Sequence, residues 1–257
     1  MATALYHDII FGPIHSRRLG LSLGVNLLPL DNKLCSFECV YCECGWTKDL
    51  HGKGFNSRED VARILEEKLC SMVQEGLIPN VITFAGNGEP TMHPQFEQII
   101  DDTIEIRDRI VPTAKISVLS NATMIGKQSV RAALKRVDNN ILKLDSAIDT
   151  TVQLMDRPRG NYSVARQIEL MKMFEGKFIL QTMFLRGNIE GRRVDNTSEV
   201  EVGAWLEAVK QIKPSKVMVY TIDRDTPLET LEKVTIEELK LIAAQLEALG
   251  IECSVAG

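Results

Sequence analysis

No apolar run in this sequence approaches the ~20 residues that cross a bilayer, so no membrane-spanning helix is expected. The opening stretch, "MATALYHDIIFGPIHSRR", has no long apolar core behind a basic start, so no secretory signal is expected. Basic blocks are missing as well, and the net charge is -5. That balance disfavours a dedicated nucleic-acid binder, although it leaves room for a local patch. Linkers, low-complexity tracts and internal repeats are also absent, and a single domain over 1–257 is expected. Cysteine is scarce outside one place: of six in the chain, four fall between positions 35 and 44. Clustered cysteines without an export signal point to reduced thiols that bind metal rather than to disulfides, and to a cytoplasmic protein.

What is present is ordinary for a soluble globular chain with a large core, 44% hydrophobic and 25% charged. Short β-branched runs alternate with helical periods. The runs at 80–86, 114–121, 140–148, 176–187 and 215–223 read as strands, with a weaker first strand at 23–30 and a seventh extended segment in "IECSVAG". Several are apolar at consecutive positions, as in parallel strands covered on both faces. Helices are expected at 57–76, 94–110, 127–137, 163–175, 198–212 and 235–250. Ser57 reads as the N-cap of the first helix and Val61, Ile64, Leu65, Leu69, Met72 and Val73 as its stripe. Thr235 and Glu238 read as a capping box. Strand spacings of about 25 to 40 residues suit right-handed βαβ crossovers. Six units fall short of a closed eight-fold barrel, so an open α/β partial (β/α)6 barrel fits, with a doubly wound sheet as the alternative.

"DNKLCSFECVYCECGW" (31–46) sets Cys35, Cys39 and Cys42 in a C-x3-C-x2-C spacing, with Cys44 as an extra. If 23–30 is a strand, this loop lies at a strand's C-terminal end, where chemistry collects in parallel α/β folds. Three thiolates on one loop can hold a cubane iron–sulfur centre and leave one iron open to an outside ligand. A zinc site is the rival, with Cys44 or His51 completing a tetrahedron.

The spacing, with Tyr41 directly before the last cysteine, resembles the signature of radical S-adenosylmethionine (SAM) enzymes. The resemblance implies a partial (β/α)6 barrel of the radical SAM type and one 4Fe-4S cluster on Cys35, Cys39 and Cys42. It implies that SAM chelates the open iron and is cleaved to methionine and a 5′-deoxyadenosyl radical, which abstracts hydrogen from a substrate. It also implies a reductant such as flavodoxin or ferredoxin as partner. The cofactors carry the chemistry, and the protein positions and shields them.

A second stretch, "ITFAGNGEPTMHP" (82–94), ends a strand with Gly86, Asn87, Gly88, Glu89 and Pro90. Glycines there let the backbone approach a ligand, and the Glu89 carboxylate can meet a ligand ammonium. This is similar to the family's G-G-E-P motif, with Asn87 inserted, which binds the methionine amino group of SAM. The alternative is an ordinary strand-to-helix turn. By the same resemblance, Tyr41, Gly86, Asn87, Gly88, Glu89, Ser120, Asn121, Asp145 and Tyr220 are the cofactor-binding candidates, with Ser120 and Asn121 near the ribose and Tyr220 near the adenine.

Lys143 and Asp145 sit two apart, on one face of a strand. Glycyl-radical activases of the superfamily carry a D-x-K pair near this point. Here the order is K-x-D, and a buried salt bridge is the alternative. Gln181 is a candidate for the barrel interior. Arg17, Arg18, Arg157, Arg159 and Arg224 lie in glycine- or proline-punctuated segments and can converge as a clamp for a substrate carboxylate or phosphate, or pair with surface acids.

These segments together resemble the radical SAM branch related to the tRNA wyosine-base synthase. That synthase has a second cluster on three further cysteines. Here only Cys70 and Cys253 remain, and both read as small buried hydrophobes. The substrate class stays open among small molecule, peptide and nucleoside. A tRNA modifier, a glycyl-radical activase and a non-catalytic zinc protein are the alternatives.

Overall fold

The computed structural model describes residues 5–16, 20–47 and 54–257. In chain order the elements begin with β1 (Ile10–Ser16), β2 (Gly20–Val25), α1 (Arg58–Gln74) and β3 (Val81–Phe84). Next come α2 (Phe96–Ile110), β4 (Lys115–Ser120), α3 (Gln128–Leu134), β5 (Asn139–Lys143), α4 (Asp149–Met155), α5 (Val164–Lys172) and β6 (Ile179–Met183). The rest are β7 (Leu185–Ile189), β8 (Arg192–Asp195), α6 (Glu199–Ile212), β9 (Lys216–Tyr220), β10 (Leu231–Lys233), α7 (Ile236–Glu247) and β11 (Cys253–Ala256).

The main sheet runs β1-β2-β3-β4-β5-β6-β9-β11, parallel throughout except for the antiparallel β1. From β2 onward its spatial order is its sequence order. A doubly wound sheet needs a point where that order reverses, so the partial barrel is the architecture and the alternative falls. β1 and β11 stand at opposite edges, and the barrel is open. The apolar tail is the seventh parallel strand, as expected.

Local chemistry sets the helix ends. Ser57 caps α1 by accepting from the Asp60 amide, and Val61, Leu65, Leu69 and Met72 point into the core. Val73 lies off this stripe and is exposed, because the face turned to the sheet is narrower than the run of apolar residues. Thr235 and Glu238 form the reciprocal capping box at the start of α7. Buried strand residues such as Val81–Phe84 meet helices on one face and the barrel interior on the other.

Three departures bear on the site. The first parallel strand ends at Val25, not at 30, so a longer loop leads into the cysteines. The expected strand at 176–187 breaks after Met183 and enters a separate small sheet, β10-β7-β8. Leu185, Ile189 and Val194 of that sheet pack with Val40, Tyr41, Met155 and Met183 in a second apolar cluster over the strand ends. Helix α4 was not expected. Among the described residues no helix is long and apolar enough to cross a membrane.

Gly88 has φ +140°, and a Cβ there would lie 1.8 Å from the Leu34 carbonyl oxygen. Gly203, inside α6, has open space around it. Gly88→Ala is expected to lose at least ~2 kcal/mol in urea unfolding, because both the backbone conformation and the space forbid a side chain. Gly203→Ala is expected to gain about 0.5–1 kcal/mol through the lower entropy of the unfolded chain.

Candidate active site at the C-terminal ends of the strands

The cysteine loop follows β2, and its backbone is held against the end of β3 on one side and the segment after α4 on the other. Leu34 pairs with Gly88 in a parallel bridge: its amide donates to Asn87 O at 2.8 Å, and the Glu89 amide donates to Leu34 O at 3.2 Å. The glycines of the second motif are therefore needed for the approach of protein backbone. A Cβ at Gly86, where φ is +135°, would meet the Asn26 side chain at 2.5 Å. On the other side, Glu38 N donates to Asp156 O, Val40 N to Met155 O and Arg159 N to Ser36 O, each at 2.9 Å. The segment 155–159 thus splints the loop.

Glu89 sits at the centre, 2% exposed. Its Oε1 accepts from Thr91 N (3.0 Å), Thr91 Oγ1 (2.5 Å) and Ser120 Oγ (2.8 Å), and its Oε2 from Asn121 N (2.6 Å). Burial pushes its pKa up against the pull of these donors. Burial, and then the Glu89 charge, push the Cys35 thiol up to about 12, which records how close the two motifs lie. Asn121 Nδ2 approaches Cys35 Sγ at 3.5 Å and Ser36 Oγ at 2.9 Å. Ser120 and Asn121 are thus engaged with Glu89 and the cysteine loop. The Asn87 side chain is fully buried and bonds Tyr6 N, Tyr6 O and Pro29 O, all at 2.8 Å, so it ties Tyr6 to the loop.

Around Cys39 lies a buried ionic group. Lys143 Nζ is 3.4 Å from Cys39 Sγ and 2.8 Å from Asp145 Oδ2, and it also bonds Asp156 and the Tyr41 hydroxyl. The salt bridge given as the alternative for the K-x-D pair is therefore present. Tyr41 in turn bonds Asp145 and Asp156. Burial lifts Asp145 to about 7, with Lys143 pulling against it. Lys143 stays far above its ordinary value because the two carboxylates outweigh its burial. Gln181 is in register with Lys143 on the neighbouring strand and shares its face, buried within the barrel.

Sequence reading missed Lys33 and Asp156. Lys33, buried under the loop, donates to Gly45 O at 2.8 Å and to Glu38 Oε1 at 3.1 Å. A bond from Cys44, joined by the Lys33 charge, holds the Cys42 thiol down to about 6 against its burial. Cys44 is correspondingly raised by its bond to Cys42, and its thiol lies 3.4 Å from Gly86 O.

The arginines do not form an open clamp. Arg157 reaches Glu190 at 2.8 Å and lies over the Trp46 ring, Arg159 pairs with Glu38, and Arg224 bonds Glu43 at 2.7 Å. Opposite charge is nearer to each than any shared centre. Arg17, Arg18 and His51 lie outside the described residues. Beside Tyr41 a cavity of about 80 Å³ is lined by Met183, Tyr220, Glu43 and Arg224. Cys70 and Cys253 stand apart on α1 and β11.

No family model matches the chain. Solved structures match its fold. A radical SAM methyltransferase from Sphaerobacter thermophilus superposes with TM-score 0.68 at 13% identity, covering 91% of this chain and 65% of that one. SuiB of Streptococcus suis, solved bound to S-adenosylmethionine, gives 0.64 at 16% identity over 91% of this chain and 50% of its own. An archaeal TYW1 gives 0.51 at 12% identity, over 88% and 71%. The fold is that of the radical SAM class. Among sequences, the UPF0026 protein MJ1312 of Methanocaldococcus jannaschii is 30% identical over 249 residues, 94% of this chain and 72% of that protein. The chain belongs to the UPF0026 family. A protein of Brachyspira hyodysenteriae named GTPase Obg is 29% identical over 255 residues, and this chain spans 34% of its length. The present sequence contains no G-x-x-x-x-G-K-[S/T] phosphate loop.

Lys143→Met leaves two buried carboxylates facing each other. It is expected to cost about 3–5 kcal/mol in chemical unfolding, and a second change, Asp156→Asn, to recover part of that loss.

Proposed function

We propose that the chain is a radical SAM enzyme in which Cys35, Cys39 and Cys42 hold one 4Fe-4S cluster and Glu89 receives the amino group of SAM. The observation that carries this reading is the junction of the two motifs at Leu34 and Gly88, with the Glu89 carboxylate beside Cys35.

The residues suit the cluster. Thiolate ligands need positive partners, and N–H donors face these sulfurs: Phe37 N at 3.4 Å and Asn121 Nδ2 at 3.5 Å on Cys35, and Lys143 Nζ at 3.4 Å on Cys39. Thiols raised by burial would lose their protons to solvent as their sulfurs took up the metal. Among the described residues no three His, Cys, Asp or Glu gather as a single ion would require. A cluster that spreads its thiolates over separate irons needs no such common point. When bound, cluster and SAM together supply a 5′-deoxyadenosyl radical by reductive cleavage of SAM.

The chain's own residues bind, orient and shield. Glu89 Oε1 already accepts three donors and Oε2 only one, so Oε2 has a lone pair for an ammonium. The ionic group of Lys143, Asp145, Asp156 and Tyr41 fixes the loop from below. The apolar cluster around Val40, Met183 and Leu185 keeps water from the strand ends. The cavity of about 80 Å³ takes only a fragment of a nucleoside. The Arg224–Glu43 pair lines its rim. The reading implies a reductant such as flavodoxin or ferredoxin as electron donor and an overall oxidoreductase class. A wyosine-type reaction is not part of this reading: of the cysteines outside the loop, Cys70 and Cys253 belong to separate elements.

Anaerobic reconstitution with iron, sulfide, dithionite and SAM tests the reading, with 5′-deoxyadenosine as the product measured. The wild-type chain is expected to be brown and to form it, and Cys39→Ala to fall to background. Glu89→Gln is expected to keep its iron and to bind SAM roughly tenfold more weakly, the loss of one charge-assisted hydrogen bond. A colourless protein with one zinc would sink the proposal.

A further inference from the structure

Beneath the cysteine loop two cations share one carboxylate. Lys33 Nζ lies 3.1 Å from Glu38 Oε1, and Arg159 binds Glu38 Oε2. Glu38 is further occupied at Oε1 by Thr47 N at 2.9 Å and Thr47 Oγ1 at 3.3 Å. One negative charge cannot neutralise both. Among the described residues no second carboxylate bonds Lys33, whose other bond goes to the neutral carbonyl of Gly45. The Lys33 side chain is 1% exposed, so water does not screen it. Its ammonium instead spans the loop that carries Cys35, Cys39 and Cys42, held at Glu38 beside Cys39 and at Gly45, whose own amide donates to Cys42 O at 2.8 Å.

On the opposite side the balance is reversed. Lys143, beside Cys39, faces Asp145 and Asp156, two carboxylates to one ammonium. Lys143 is therefore spoken for, and the surplus positive charge of the cysteine loop resides at Lys33.

We propose that Lys33 is a positioning residue for the cluster's charge: a buried, locked ammonium that stabilises the reduced, more negative state and so sets how readily the cluster accepts an electron. The inference rests on the radical SAM reading above. The residue does not touch substrate. It acts through the field at the three thiolates, and Glu38, split between Lys33 and Arg159, tunes how much of that field is left.

An EPR-monitored redox titration of the anaerobically reconstituted full chain, with iron and sulfide counted, tests the proposal. Lys33→Met is expected to keep its iron and sulfide and to shift the one-electron reduction equilibrium at least tenfold against reduction, which is 59 mV lower. Lys33→Arg, which keeps the charge, is expected to stay close to wild type. Glu38→Gln removes the opposing charge and is expected to shift the equilibrium the other way. It decides the matter alone if Lys33→Met does not assemble. An unmoved midpoint in Lys33→Met with a full cluster overturns the inference, as does a shift in Lys33→Arg as large as in Lys33→Met, or a Glu38→Gln midpoint equal to or below wild type. A wild-type chain that takes up no iron or sulfide instead refutes the radical SAM reading itself.

Discussion

The active-site end of this molecule depends on one close approach, the backbone of Gly88 against the carbonyl of Leu34. Two segments more than fifty residues apart in the sequence are thereby placed in parallel pairing one step before Cys35. Because the contact is backbone to backbone, it fixes direction as well as distance. The chain leaves Leu34 into Cys35 on one strand of the bridge and leaves Gly88 into Glu89 on the other. A thiol and a carboxylate then emerge together from a rigid junction, with Ser120 and Asn121 holding the carboxylate from the next strand. Glycine at 88 therefore serves to let protein meet protein, and the ligand benefits at second hand.

Charge is arranged around that junction in two buried groups of opposite surplus. Lys33 and Arg159 share Glu38, while Asp145 and Asp156 share Lys143. Buried ions are costly unless paired and hydrogen-bonded, and neither group balances by itself. The loop places Lys33 under the sulfurs, where thiolates would complement its positive surplus, whereas Lys143 beside Cys39 is already matched by Asp145 and Asp156. Of the two readings of the arginines, pairing with acids is the one seen: Arg159 and Arg224 are drawn to Glu38 and Glu43, acids of the cysteine loop itself, and brace it.

Most of the parallel sheet was legible because fully buried strands announce themselves as short β-branched runs, and the helices because caps such as Ser57 and Thr235 are local signals. The cysteine spacing and the glycine-rich turn were legible for the same local reason. What escaped notice is non-local. The small sheet of β7, β8 and β10 forms from segments whose partners lie far along the chain, and a continuous apolar run hid the break after Met183. Lys33 looks like any surface lysine until the loop folds over it. Asp156 reads as a turn residue, and only the fold brings it to Lys143 and Tyr41. The three bonds of the Asn87 side chain, to main chain at Tyr6 and Pro29, are likewise non-local and invisible in the glycine-rich stretch itself.

Size alone would have pointed to the other end of the barrel. A recess of about 890 Å³ opens among the strands' first residues, between Gly20, Asn80, Lys115 and Lys216, far larger than the cavity beside Tyr41. The difference lies in what the two ends contain. The recess is bounded by single polar residues at strand starts, and Lys216 is already paired with Glu252. The opposite end gathers four thiols, a buried carboxylate with an oxygen to spare and two incompletely balanced ionic groups within a few residues of the strand ends. Volume measures where a molecule could lodge. Thiols and buried charge mark where reactive groups are concentrated, and in this chain that lies at the cysteine loop.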